Sequence, residues 1–206
     1  QQDDSQRLAN KREYLEDITK GVEEGSPGPN IVFILFDDMG FGDIAAGAAG
    51  STLIATPNID RLAAQGVVLS DFHSPAPVCT PSRAGFLTGR LPARAGLPNV
   101  VFPTGTAQEL FAGKVGNPQG NNRLPSDEIT LADALRAAGY ATGMIGKWHL
   151  GDRSPSLPND MGFDSFYGAL YSNDMVPFAL YRDTTIDVPA PADQRYLTEI
   201  YTREAV

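Results

Sequence analysis

The pattern of hydrophobic and polar positions changes character at Asn30. Residues 1 to 29 are polar and charge-mixed, with a short helical stretch around Leu8 to Ile18 and then the breaker string Gly25, Ser26, Pro27, Gly28, Pro29. They read as an N-terminal extension outside the core, and 30 to 206 as the folded portion. Ile31 to Phe36, IVFILF, is a continuous β-branched and aromatic run that predicts a strand buried on both faces of a mostly parallel sheet, ending at Asp37 and Asp38. TPNIDRLAAQG predicts a helix capped by Thr56, with Pro57 in its first turn, Ile59, Leu62 and Ala63 on one face, and Gly66 in the left-handed position that stops it. Val67 to Phe72 reads as a second strand. CTPSRAGFLTGR is a turn feeding a short helix, with Pro81 near its start and Gly89 past its end, which places Cys79 at the helix mouth.

Residues 91 to 125 are rich in Gly, Pro and Asn without periodicity and read as a long surface excursion. TLADALRAAG is the clearest helix: Thr130 and Asp133 form a capping-box start, Leu131, Ala134, Leu135 and Ala138 a stripe, and Gly139 ends it. YATGMIG follows as a strand that delivers Lys147, Trp148 and His149 at its C-terminal end. ADQRYLTEIYTREAV is amphipathic and helical in pattern. Alternating strands and helices predict an α/β fold, a doubly wound and mostly parallel sheet with helices on both faces, whose ligands bind beyond the carboxyl ends of the strands. Asp37, Asp38, Cys79, Lys147 and His149 can gather on that edge.

Composition narrows the function classes. The chain has 206 residues, 42% hydrophobic and 20% charged, enough for a real core, and no apolar run approaches the roughly 18 residues of a membrane span. Sixteen Lys and Arg against 25 Asp and Glu leave a net charge of -9, which repels phosphate backbones and argues against general nucleic-acid binding. A local basic pocket is still compatible with that total. One cysteine allows neither an internal disulfide nor an all-Cys metal site, so compartment is not legible from disulfides. The 21 Gly and 16 Pro predict tight turns and structured loops rather than a helical bundle.

Adjacent carboxylates at the end of a buried strand repel one another unless a cation or proton intervenes, and an all-oxygen pair suits Ca²⁺ or Mg²⁺ better than zinc. A solvated turn is the competing reading of Asp37 and Asp38. Cys79 taken alone is a small buried hydrophobe. Its place at a helix N-terminus, with Arg83 one turn on, favours an anionic nucleophile. Lys147 and His149 can equally be surface residues after a strand, Trp148 reads as packing, His73 as a loop histidine, and Asp43 as part of the GFGD turn.

Pro77 to Gly89, PVCTPSRAGFLTG, resembles the signature of the formylglycine-dependent sulfatases, arylsulfatase-like members of the alkaline phosphatase superfamily. GYATGMIGKWH, Gly139 to His149, resembles the family's second signature, and NIVFILFDDMGFGD its first strand with the metal-binding Asp pair. TPNIDRLAAQGV and GFDSFYG also resemble family segments, in family order from about Asn30 onward. The resemblance implies that Cys79 is oxidised to formylglycine by a formylglycine-generating enzyme. It implies that the hydrated aldehyde, bound with Asp37 and Asp38 to Ca²⁺ (or Mg²⁺), attacks sulfur in line, after which the second hydroxyl loses its proton and sulfate is expelled. Arg83 is then a partner to that cluster, Lys147 a donor to sulfate oxygens, and His149 a candidate base.

The same resemblance implies a carbohydrate or aryl sulfate ester as substrate, a periplasmic or secreted location, and no nucleic-acid partner. The family completes its metal site and leaving-group side downstream of Val206, so the expectation is an N-terminal portion of the catalytic domain, inactive or nearly so alone. A phosphonate or phosphate ester hydrolase of the same superfamily and a non-catalytic fragment are the competing readings.

Overall fold

The computed structural model describes residues 4–22, 28–45, 54–115 and 121–206. Residues 25–27 of the Gly/Pro string and 116–120 of the 91–125 excursion lie outside them. The chain divides into two units, Gln1–Ser26 with Pro75–Val206, and Pro27–Ser74.

In the larger unit, strands β1 (Gly143–Lys147), β2 (Ser165–Ala169), β3 (Leu180–Arg182) and β4 (Thr185–Val188) lie in that order in one sheet. β1 and β2 run parallel in register from Gly143 opposite Ser165 to Lys147 opposite Ala169. β2 with β3, and β3 with β4, are antiparallel. The described sheet is therefore mixed where the sequence pattern predicts a mostly parallel one. Connection length explains the difference: a parallel return needs a crossover of about a dozen residues or more, which 148–164 supplies and the links 170–179 and 183–184 do not.

Alternation along β2 sends side chains to two cores. Phe166 packs with Trp148, Leu150, and Ala84 and Leu87 of helix α3 (Cys79–Thr88). Tyr167 and Ala169 pack with Leu180 and Phe178 and with Leu197, Ile200 and Tyr201 at helix α6 (Leu197–Ala205). Helices thus cover both faces, as expected of an α/β fold. Gly168 permits close pairing of β1 and β2, because a Cβ there would lie 1.9 Å from the Gly146 carbonyl oxygen.

Helix α5 (Leu131–Ala137) starts as its sequence dictates, with Asp133 N donating to Thr130 Oγ1 at 2.9 Å and Thr130 N to Asp133 Oδ2 at 3.1 Å. Its buried face is rotated from the expected stripe: Ala132 and Asp133 are 3% exposed and Leu131 42%. The cap itself is the packing surface, since Thr130 Oγ1 also donates to Met161 O at 2.7 Å. Helix α1 (Asp4–Gly21) joins neither core. Polar ties hold it, chiefly Lys11 Nζ to Asp133 Oδ2 and Glu128 O, both at 2.8 Å.

The 91–125 segment is less superficial than its composition predicts. It contains helix α4 (Ala107–Val115), and Ala95, Leu97, Val101 and Leu124 are buried in the core. Scattered apolar residues carry no periodicity, yet they still gain by leaving water.

In the smaller unit, helix α2 spans Pro57–Gln65 and a 3-10 turn Phe41–Asp43. Neither Ile31–Phe36 nor Val67–Phe72 forms a strand there, and Ile31 to Phe36 are 44–84% exposed. A strand exists only through its neighbours, and the apolar run has no ladder among the described residues. Gly66 has φ -125°, so α2 ends without the expected left-handed residue. Thr56 Oγ1 donates to Asp60 Oδ1 at 3.0 Å instead of accepting a backbone N–H of the helix.

Gly162 and Gly139 both have positive φ, +99° and +87°, but a Cβ on Gly162 would sit 2.2 Å from Asp133 N while one on Gly139 would meet open space. Gly139→Ala should cost about 1–2 kcal/mol, the left-handed penalty alone. Gly162→Ala should cost clearly more, as urea unfolding midpoints will measure; equal losses would contradict this packing.

Candidate functional site

Cys79 opens α3, directly after the extended N-cap Val78, and Ser82 N closes the first turn on Val78 O at 3.1 Å. The helix ends as predicted, with Gly89 at φ +64° donating its N–H to Gly85 O. The half-buried Cys79 side chain therefore lies among the N-terminal amides of a ten-residue helix, where the helix dipole favours negative charge.

The parallel ladder supplies the second wall. β1 delivers Lys147, and the pairing continues past it, with Trp148 N donating to Ala169 O at 2.9 Å and His149 N to Leu170 O at 3.0 Å. Lys147 Nζ lies 3.1 Å from Cys79 Sγ and donates to Ser172 Oγ at 3.0 Å. Arg83 Nη1 donates to Lys147 O at 2.5 Å, tying α3 to the end of β1. One cationic side chain thus sits beside the sulfur and a second is tied to its backbone carbonyl, in a chain whose net charge is -9. An ammonium and a guanidinium at a helix N-terminus suit a tetrahedral oxyanion.

His149 is fully buried, its backbone at φ +62°, its ring edge-on to Tyr171 at 5.6 Å. Its Nε2 is 3.0 Å from Val101 O. A carbonyl only accepts, so Nε2 carries the proton and Nδ1 is the basic nitrogen of the neutral ring. Burial pushes the Tyr171 phenol up, reinforced by the negative charge of Asp152 and Glu109. Trp148 is packing, as expected: Nε1 donates to Ser156 O at 2.9 Å and its ring meets Phe163 edge-on.

Asp37 and Asp38 belong to the smaller unit and Cys79 to the larger. Both carboxylates are exposed, and Asp38 adopts φ +57°. As a donor set the pair fits a hard cation, since both contribute anionic oxygen, and supplies only part of the roughly 6 to 8 oxygens that Ca²⁺ takes. Among the described residues, no group of three or more His, Cys, Asp or Glu converges on a metal-sized point. Asp43 has the turn role expected of it, accepting from Gly40 N at 2.6 Å. His73 is exposed and its Nδ1 meets Asp71 O within its own loop.

Ser172 and Asp174 escaped the sequence reading. They follow β2, whose carboxyl end is adjacent to that of β1, so the rule that ligands bind beyond parallel strand ends was the available signal. The Asp174 carboxyl is held below the ordinary carboxylate range, first by a hydrogen bond from Ser172 and further by the positive charge of Lys147. A cleft of about 450 Å³ lined by Tyr14, Phe86, Arg90, Asp127 and Glu128 lies at the opposite end of α3 from Cys79, and its charged groups are paired, Arg90 with Glu128 and Asp127 with Arg7.

The family model "Sulfatase" matches residues 29–206. Bovine arylsulfatase A is 44% identical over 163 residues, covering 78% of this chain and 29% of its own length. Canine arylsulfatase G is 45% identical over 161 residues, covering 78% and 27%. Murine N-acetylgalactosamine-6-sulfatase is 37% identical over 205 residues, covering 88% and 36%. The chain therefore spans about a third of the length of these curated relatives. Among solved structures, the PsFucS1 sulfatase from Pseudoalteromonas sp. aligns over all of this chain and 44% of its own, with TM-score 0.68 and 26% identity. Ps i-CgsB in complex with k-i-k-neocarrahexaose aligns over 82% and 38%, with TM-score 0.64 and 29% identity.

Ser172→Ala should move the Asp174 titration up toward the ordinary carboxylate range, as followed by carboxyl ¹³C NMR. The sign follows from the hydrogen bond: a carboxylate held low adds stability above its ordinary pKa, and that stability is lost as pH falls through the lowered value. An unchanged midpoint would remove Ser172 as the main cause.

Proposed function

The chain belongs to the sulfatase family, and on that premise we propose that it carries the nucleophile side of a sulfuric ester hydrolase. The observation that supports this most directly is Lys147 Nζ at 3.1 Å from Cys79 Sγ, at the mouth of α3. Cys79 is the nucleophile position. Its conversion to formylglycine by a formylglycine-generating enzyme would supply an aldehyde hydrate, with one hydroxyl to attack sulfur and a second through which sulfate can be released.

Asp37 and Asp38 would hold Ca²⁺, or Mg²⁺, which when bound offers Lewis-acid charge to the sulfate group. The chain's own residues do the rest. Lys147 donates to the sulfate oxygens from its seat between position 79 and Ser172, and Arg83 fixes that seat through the Lys147 carbonyl while adding positive charge. His149, with Nε2–H given to Val101 O, takes up a proton at Nδ1 as sulfate leaves.

The substrate class we infer is a carbohydrate sulfate, by likeness to Ps i-CgsB, solved with k-i-k-neocarrahexaose. Export to the periplasm or beyond belongs to the same reading; no helix among the described residues is long and apolar enough to cross a membrane.

The test is turnover by the protein purified from its native host. A sulfate monoester should be hydrolysed faster than its phosphate counterpart, peptide mass spectrometry should find the aldehyde at position 79, and Cys79→Ala should abolish activity. Lys147→Met should lower kcat by about 10²–10³, the usual loss for one oxyanion donor. A faster phosphate ester would favour a phosphoryl hydrolase of the same superfamily, and an unmodified thiol at position 79 would sink the formylglycine mechanism. Chelation should stop turnover and Ca²⁺ restore it, with Asp37→Asn needing more Ca²⁺ for half-maximal rate.

A further inference from the structure

We propose that Thr80, the residue after the nucleophile position, is a positioning residue that orients the His149 imidazole and fixes its tautomer. Three hydrogen bonds close a circuit. Thr80 Oγ1 donates to His149 O at 3.1 Å, Val101 N donates to Thr80 Oγ1 at 3.2 Å, and His149 Nε2 donates to Val101 O at 3.0 Å. The directions are forced, because a carbonyl only accepts and a backbone N–H only donates, so the hydroxyl must give its proton to His149 O and receive that of Val101.

All three residues are 0% exposed, so no water replaces a lost member. The circuit joins three separate segments: the first turn of α3, the loop at Val101, and the end of β1. His149 needs such support, since it holds a left-handed backbone at φ +62°. Thr80 grips its carbonyl, Leu170 O accepts its N–H at 3.0 Å, and Val101 O sets the ring. One hydroxyl therefore couples the helix that carries position 79 to the ring assigned as base.

The use of His149 as a base rests on the sulfatase activity proposed above, whereas its tautomer does not. The experiment reads the tautomer in the 206-residue chain. The sequence has two histidines, so a His73→Gln background leaves one imidazole in a long-range ¹H–¹⁵N spectrum at about pH 8, where a neutral ring is expected. Wild type and Thr80→Ser should show a single Nε2–H tautomer with a slowly exchanging proton. Thr80→Val, isosteric but without the hydroxyl, should give mixed tautomers and at least about tenfold faster Nε2–H exchange.

Retention of one protected Nε2–H tautomer in Thr80→Val overturns the proposal, as does an Nδ1–H ring in wild type. Emission of the buried Trp148 reports folding of each variant. If Thr80→Val does not fold, Thr80→Ser decides: the wild-type tautomer supports the circuit, and a disturbed one shows that the hydroxyl is not what holds the ring. Sulfate ester turnover is read separately. The tautomer pattern described, found while the protein purified from its native host hydrolyses no sulfate ester, supports the circuit and refutes the sulfatase reading.

Discussion

The parallel pairing of β1 with β2 is the constraint on which the rest of the larger unit depends. It carries Lys147 to the sulfur of Cys79, continues through Trp148 and His149 onto Ala169 and Leu170, and brings Ser172 to the ammonium of Lys147. The ladder can close this tightly because Gly168 faces Gly146, where any Cβ on Gly168 would collide with the Gly146 backbone. The Gly168 side chain is forgone, and Lys147 and His149 are held on paired backbone rather than on a free loop.

Charge at the site runs against the charge of the chain. A net charge of -9 gives no long-range attraction for an anion, so the positive potential beside Cys79 is local, set by Lys147 Nζ near the sulfur and by Arg83 at the Lys147 carbonyl. That makes the anchoring of those groups decisive. Arg83 spends a hydrogen bond on the Lys147 carbonyl, and the Ser172 hydroxyl and the Asp174 carboxylate stand behind the ammonium, so the field is set by backbone, a hydroxyl and an anion as well as by the two cations.

Much of this was legible residue by residue. The capping box at Thr130 and Asp133, the left-handed Gly89, the opening of α3 at Cys79 and the strand ending at Lys147 all follow from local rules that act within one turn or one strand. Where local rules met long-range partners they failed. IVFILF has the composition of a buried strand, but its pairing depends on neighbours that its own residues do not specify, and it is not a strand of the described sheet. The α5 stripe was read from periodicity, yet the helix buries Ala132 and Asp133, because its capped end rather than its side packs on Met161 and Gly162. The 91–125 segment read as surface because its apolar residues are scattered, and Leu97, Val101 and Leu124 are core residues all the same.

Residue type and spacing alone are enough to identify the sulfatase family and to single out candidates for its chemistry: Cys79 in CTPSR, Lys147 and His149 after GMIG, and the Asp37–Asp38 pair. Those choices are local, written in residue type and spacing. Only the tertiary structure decided which nitrogen of His149 is basic, what holds Lys147 against the sulfur, and that Thr80, Val101 and Ser172 belong with them. Each of these is a hydrogen bond between segments 20 or more residues apart, and no short-range pattern of hydrophobic and polar positions encodes the direction of a donor from a distant strand.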